Sequence, residues 1–180
     1  MRKHLTDIIL EDPFSQFKEL VLTEYNVPVL NEIRDYLLEI PKQGLLLSGP
    51  VGTGKTLFTR CVCRSMYTLY NKRIPEFNAP FIRDNYYKDE NTETYSIRYK
   101  LHAFRYVAIQ DLGLEQTYST GANIIQNILY DRFERGFITL CTTNLPPVEL
   151  VTRYNDSYNR IADRFLAMFR VIEVKGESFR

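Results

Sequence analysis

Three short apolar runs punctuate the chain: Leu45-Leu46-Leu47, Tyr106-Val107-Ala108-Ile109 and Phe137 to Cys141. Each is bounded by turn or polar residues, the pattern of a strand buried on both faces. Elsewhere apolar residues recur at helical spacing. Pro28 to Glu39 aligns Val29, Leu30, Ile33, Tyr36 and Leu37, with Pro28 in the first turn and Pro41 just past the end. Lys55 to Tyr70 and Thr92 to Phe104 read as helices, and Ala122 to Glu134 repeats Ile124, Ile125, Ile128, Leu129 and Phe133. Residues 71–92, with Pro75 and Pro80, read as loop with a short strand near Phe81-Ile82. A helix around Tyr158–Phe169 and a strand around Val171–Val174 follow. Strands alternating with helices predict an α/β fold, a parallel sheet of about five strands flanked by helices. Residues 1–40 read as a short N-terminal helical arm and residues 41–180 as the core.

Charge refines this division. The net charge is only +1, but residues 1–40 hold four Lys/Arg against eight Asp/Glu, and residues 41–180 hold nineteen against fourteen. An acidic arm on a mildly basic core fits a partner-binding arm and a polyanion-binding core, and equally an uneven surface without function. No apolar run approaches the roughly 18–20 residues that span a bilayer, so no membrane role is expected. Met1-Arg2-Lys3-His4 meets acidic residues at once and does not read as a secretory signal. Three cysteines, with Cys61 and Cys63 two apart on a helix, read as buried thiols in a reducing cytoplasm.

The first run ends in Gly49-Pro50-Val51-Gly52-Thr53-Gly54-Lys55-Thr56, which matches the phosphate-loop spacing G-x-x-x-x-G-K-[ST]. Glycines let backbone N–H groups curl around a phosphate, and the helix N-terminus that follows favours the anion. Lys55 is expected to reach the β- and γ-phosphates of ATP, and Thr56 to ligate Mg²⁺.

Three further segments narrow the reading. Tyr106 to Gly113 is a buried strand ending in Gln110-Asp111-Leu112-Gly113. Ile138 to Leu145 is a strand ending in Thr142-Thr143-Asn144. Asn159 to Phe165 carries Arg160 and Arg164 four apart on one helix. Together with the glycine loop, this order resembles the AAA+ ATPases, and within them the helicase-loader and transposition-helper branch of DnaC and IstB. The resemblance covers about residues 44–180. It implies the AAA+ strand order, with most of the C-terminal helical lid absent. It makes Asn144 the residue that orients the attacking water, and Arg160 and Arg164 the segment supplying an arginine finger to a neighbouring subunit. Arg180, in Gly176-Glu177-Ser178-Phe179-Arg180, is similar to the family's closing arginine sensor.

The chain departs from the family in one place that matters for chemistry. The family places two acidic residues before Leu-Gly, and this chain has Gln110-Asp111. In the simplest register Gln110 replaces the carboxylate that holds magnesium, and a neutral amide lacks the charge a hard cation favours. Asp111 then serves as metal ligand, as base, or as both, with Glu115 close by in sequence. Only about 40 residues precede the first core strand, where loaders of this type carry a helicase-binding domain. Tyr86, Tyr87, Tyr95 and Tyr99 interleave with Arg83, Lys88, Arg98 and Lys100, which suits either stacking on single-stranded DNA or amphipathic packing.

The expected function is an ATP-binding accessory protein of DNA replication or transposition with weak ATPase activity. It would assemble with itself through ATP at subunit interfaces, contact single-stranded DNA, and serve a replicative helicase or a transposase. One rival is a nucleotide-gated switch with little hydrolysis, favoured by Gln110. The other is a small-molecule kinase, disfavoured by the Thr142-Thr143-Asn144 strand end.

Overall fold

The three apolar runs form the three inner strands of one sheet. The computed structural model describes residues 26–39, 41–87, 96–115, 123–154 and 160–176. Among these the chain runs α1 (Asn26–Leu38), β1 (Gly44–Ser48), α2 (Lys55–Tyr70), β2 (Glu76–Asn78), α3 (Ala79–Asn85), α4 (Ile97–Ala103) and β3 (Tyr106–Leu112). It continues through α5 (Ile124–Glu134), β4 (Ile138–Thr143), α6 (Pro147–Tyr154), α7 (Arg160–Met168) and β5 (Phe169–Glu173). The sheet order is β2-β3-β4-β1-β5 and every pairing is parallel. Each residue of β1 and β4 is buried, as strands covered on both faces require.

Period-two alternation divides the core into two layers. Leu46, Val107, Ile109 and Cys141 face α3 to α7 and pack with Ile82, Leu101, Ile125, Leu150 and Phe165. Leu45, Leu47, Ala108 and Leu140 face the other way, against Val29 and Ile33 of α1 and Phe58, Val62 and Met66 of α2. Leu46 and Leu47 are wholly buried. Each such side chain contributes about 1.5–3 kcal/mol relative to exposure. Helix α1 therefore belongs to the packed body, and residues 1–25 of the arm lie outside the described residues.

The base of the sheet is held by a buried cation. Arg132 of α5 is fully buried and donates all its N–H groups: to the carbonyls of Leu101, Phe104, Arg105 and Ile138, and to Thr139 Oγ1 at 2.9 Å. Burial pushes the guanidinium pKa down to about 10. The five bonds tie the end of α4 to the starts of β3 and β4.

Two sequence expectations are corrected here. Phe81-Ile82 is helical, not a strand, and the short strand lies earlier, at Glu76–Asn78. Asn78 caps α3 by accepting from the Phe81 N–H at 3.2 Å. The segment after Thr142-Thr143-Asn144, read only as a strand end, carries the additional helix α6.

Candidate functional site

The glycine loop joins the end of β1 to the start of α2. Gly49 N–H donates to the Thr143 carbonyl at 3.3 Å, and a Cβ at Gly49 would sit 2.1 Å from the Val174 carbonyl oxygen, so only glycine fits between β4 and the end of β5. Gly54 precedes α2 with φ 87°, a left-handed conformation that costs other residues energy. The first helical bond of α2 is Phe58 N–H to Gly54 C=O at 3.0 Å, which leaves the preceding amides free for an anion. Thr53 Oγ1 ties the loop to itself through the Pro50 carbonyl at 2.9 Å, and Val51 stands exposed at the tip.

Lys55 is 6% exposed, and its Nζ donates to the carbonyls of Gly49 at 2.7 Å and Pro50 at 2.6 Å. Burial lowers the Lys55 pKa, and the Asp111 carboxylate opposes that shift. A buried ammonium held only by neutral carbonyls fits a triphosphate, whose oxygens are stronger acceptors. The loop accordingly has the shape and donors for the phosphates of ATP.

Across from the loop, β3 ends in a bulge. Its pairing with β4 slips between Ile109 and Leu112, and Asp111 takes φ 60°. Asp111 N–H donates to Thr142 Oγ1 at 2.9 Å, and Thr142 Oγ1 donates to Gln110 Oε1 at 2.9 Å. Asp111 Oδ2 accepts from Asn78 Nδ2 at 3.3 Å. Gln110 follows Ala108 at period two, so its side chain shares the α2 face of the sheet. It is buried, and its Nε2 lacks a hydrogen-bond partner among the described residues. The Thr56 hydroxyl and one Asp111 carboxylate oxygen, completed by phosphate and water, suit the oxygen-rich coordination of magnesium. The Gln110 carbonyl is already an acceptor for Thr142, so it is a poor substitute for a carboxylate.

Asn144 directly follows β4. Thr143 pairs with Ser48, so Asn144 stands level with the first residue of the loop. Glu115 is differently employed. It is 2% exposed, accepts from Tyr154 Oη at 2.5 Å and from Gly113 N–H at 2.9 Å, and lies 3.8 Å from Arg153 Nε. It anchors α6 to the end of β3. Both anchoring residues, Arg153 and Tyr154, come from the helix that the sequence patterns did not reveal.

The arginines of α7 lie on the other side of the sheet from α2. Phe165 and Met168 of α7 pack into the layer opposite Phe58 and Val62. Arg164 donates to Tyr130 Oη at 3.0 Å, lies over that ring at 5.3 Å, and is 3.7 Å from Glu134. Arg160 opens α7, but its side chain and all of Arg180 lie outside the described residues.

The tyrosine cluster divides. Tyr86 Oη is hydrogen-bonded to His102 Nε2 at 2.8 Å and His102 Nδ1 to Asp131 Oδ2 at 2.8 Å, and Arg98 lies 5.8 Å over the Tyr86 ring. Tyr86 is thus committed to internal packing, with His102, to which the sequence assigned nothing, as its link to α5. Tyr87 and Tyr99 remain 61% and 45% exposed. Lys88 and Tyr95 lie outside the described residues. Cys61, Cys63 and Cys141 are free and buried. Among the described residues no helix is long and apolar enough to cross a membrane.

Comparison with known proteins agrees with this geometry. No curated protein matches the chain in sequence. The crystal structure of the DnaC helicase loader is similar over 88% of this chain and 94% of that one, at 19% identity and a TM-score of 0.73. A putative primosome component from Streptococcus pyogenes serotype M3 is similar over 89% and 85%, at 17% identity and a TM-score of 0.70. AMPPCP-bound DnaA from Aquifex aeolicus is similar over 89% of this chain and 50% of that one, at 14% identity and a TM-score of 0.63. These likenesses show a P-loop fold of AAA+ type. The family profile of the IstB-like ATP binding protein matches residues 30–180. The chain belongs to the family of IstB-like ATP-binding proteins.

Proposed function

We propose that this ATP-binding chain is an accessory protein of DNA replication or transposition that assembles with copies of itself around ATP, contacts DNA, and hydrolyses ATP slowly. The observation that carries the reading is Lys55. It is a buried ammonium within a glycine loop at the start of α2, and it interacts electrostatically with Asp111. Gly49 to Thr56 bind the triphosphate, Thr56 and Asp111 hold Mg²⁺, and Asn144 orients the attacking water. Bound magnesium supplies positive charge that neutralises the phosphate oxygens.

Arg160 or Arg164 completes the site of a neighbouring copy. The support is that α7 packs on the sheet face opposite α2, which favours contact with a nucleotide on another chain. Arg180 acts as a further sensor of the nucleotide. A replicative helicase or a transposase is the protein partner, single-stranded DNA the nucleic acid, and the cytoplasm the place of action. The likeness to a helicase loader and to a primosome component supports the replication setting.

A second reading, a nucleotide-gated switch with little turnover, is favoured by the Gln110 amide and its bond to Thr142. Phosphate release with and without single-stranded DNA tests the choice. Slow turnover stimulated by DNA supports the accessory ATPase. ATP binding with no release supports the switch. Transfer of the phosphoryl group to a small acceptor contradicts both.

A further inference from the structure

The C-terminal end of α2 carries a basic groove that the nucleotide site does not use. The open cavity there has a volume of about 470 Å³ and is lined by Arg60, Arg64, Tyr67, Lys72, Arg73 and Glu76. Asn71 ends α2 with φ 52°; its N–H donates to the Tyr67 carbonyl at 2.9 Å, and the Lys72 N–H donates to the Met66 carbonyl at 3.3 Å. This left-handed cap turns the chain back, so that Lys72 and Arg73 lie beside the last turns of the helix. Among the described residues the lining thus holds Arg60, Lys72 and Arg73 against the single carboxylate of Glu76, with Arg64 alongside, in a chain whose net charge is only +1.

Ordinary causes account for part of this concentration. Cations near a helix C-terminus offset its dipole, which explains Lys72 and Arg73. The effect fades within the last turn, so it does not explain Arg60, ten residues before Tyr70. Arg60 is 3.8 Å from Glu76 and its side chain is 63% exposed, a pairing too long and too wet to consume its charge. The groove also borders β2, the short edge strand of the sheet.

We propose that this groove binds the phosphate backbone of duplex DNA. The inference rests on the DNA-associated function proposed above and adds a duplex contact, separate from the single-stranded one. Duplex DNA presents one charge per roughly 1.7 Å of axis, and arginine forks match phosphate geometry. Single strands are held by stacking on open aromatic rings, but here Arg73 lies 6.0 Å over the ring of Tyr67, the one exposed aromatic of the groove. The groove therefore offers mainly charge, with one aromatic ring among its described lining residues. It runs along α2 from Arg60, in the second turn after Lys55, to Lys72 and Arg73 beyond the helix end.

Fluorescence anisotropy of labelled duplex, titrated across salt without ATP, tests the proposal. The triple variant Arg60→Ala, Lys72→Ala, Arg73→Ala is expected to lower the slope of log affinity against log salt by about 2–3, near 0.9 per lost phosphate contact. Its affinity at low salt falls on the order of 100-fold. The variant with Arg60→Lys and Arg73→Lys keeps the slope, because it keeps the charge. The replaced side chains are exposed, so unchanged thermal melting verifies the fold. An unchanged slope in the triple variant overturns the proposal even if wild type binds DNA. Stronger competition by poly-glutamate than by duplex overturns it in favour of an acidic protein partner. Failure of wild type to bind duplex at low salt overturns it as well. None of these outcomes depends on ATP-driven assembly, so the two readings fail separately.

Discussion

Thr142 Oγ1 donates to Gln110 Oε1 at 2.9 Å and accepts from the Asp111 N–H at 2.9 Å. One hydroxyl thus fixes both residues at the position where related ATPases carry two carboxylates. It ties the neutral amide to β4 and holds the Asp111 N–H within the irregular part of the β3–β4 pairing.

Gln110→Asp is expected to speed ATP hydrolysis. The new carboxylate, one methylene shorter than the glutamine side chain, adds the negative charge that magnesium favours. Changes around a metal's ligands typically alter affinity or activity about 10–100-fold. Steady-state phosphate release on the two proteins checks this, and a variant no faster than wild type means that Asp111 already holds the metal or that the site is silent for another reason.

Lys55→Ala is expected to weaken ATP binding at least about 100-fold, since each hydrogen bond to a charged group is worth about 1.5–3 kcal/mol and the ammonium makes more than one. Calorimetric titration with a non-hydrolysable analogue reads the loss. Near wild-type affinity contradicts the loop's assignment.

Arg132→Met is expected to destabilise the fold by more than about 3 kcal/mol. It removes a donor from four carbonyls and one hydroxyl; the Arg105 carbonyl keeps the Ile138 N–H at 2.8 Å, and each buried group left unsatisfied costs about 1–3 kcal/mol. Urea unfolding monitored by circular dichroism measures the change.

Burial pushes the thiol pKa of Cys61 up to about 11 and that of Cys63 up to about 12, above the ordinary thiol value. Both thiols stay protonated when folded, so this contribution to stability is complete below pH 9 and is lost as pH rises through the folded pKa values. Alkylation by iodoacetamide in the native state is expected to be slow at pH 8 and to climb without a plateau to pH 10. A plateau near pH 9 contradicts the burial.

The inner sheet and the glycine loop were legible because their signals are local: unbroken apolar runs and a fixed motif spacing. The edge strand β2 was not, because Glu76-Phe77-Asn78 is short and has no hydrophobic run. Pro80 was read as part of a loop, yet it sits in the first turn of α3, and Pro147 opens α6 in the same way, where a missing N–H costs nothing. The spacing of Leu150 and Tyr154, both buried, was the available sign of α6. Glu115 was legible as a nearby carboxylate and not as an anchor, because its partners Arg153 and Tyr154 are nearly forty residues away. The Thr142 link between Gln110 and Asp111 depends on the bulge in β3, which no periodicity announces.

The central claim is assembly through ATP, with α7 of one copy completing the site of the next. Sedimentation velocity of wild type and of the Arg160→Ala, Arg164→Ala double variant, with and without ATP and DNA, tests it most directly. The account predicts that wild type forms larger species only with ATP, and that the double variant binds ATP with unchanged affinity yet stays monomeric. A double variant that assembles normally, or a wild type that remains monomeric with ATP and DNA, contradicts it.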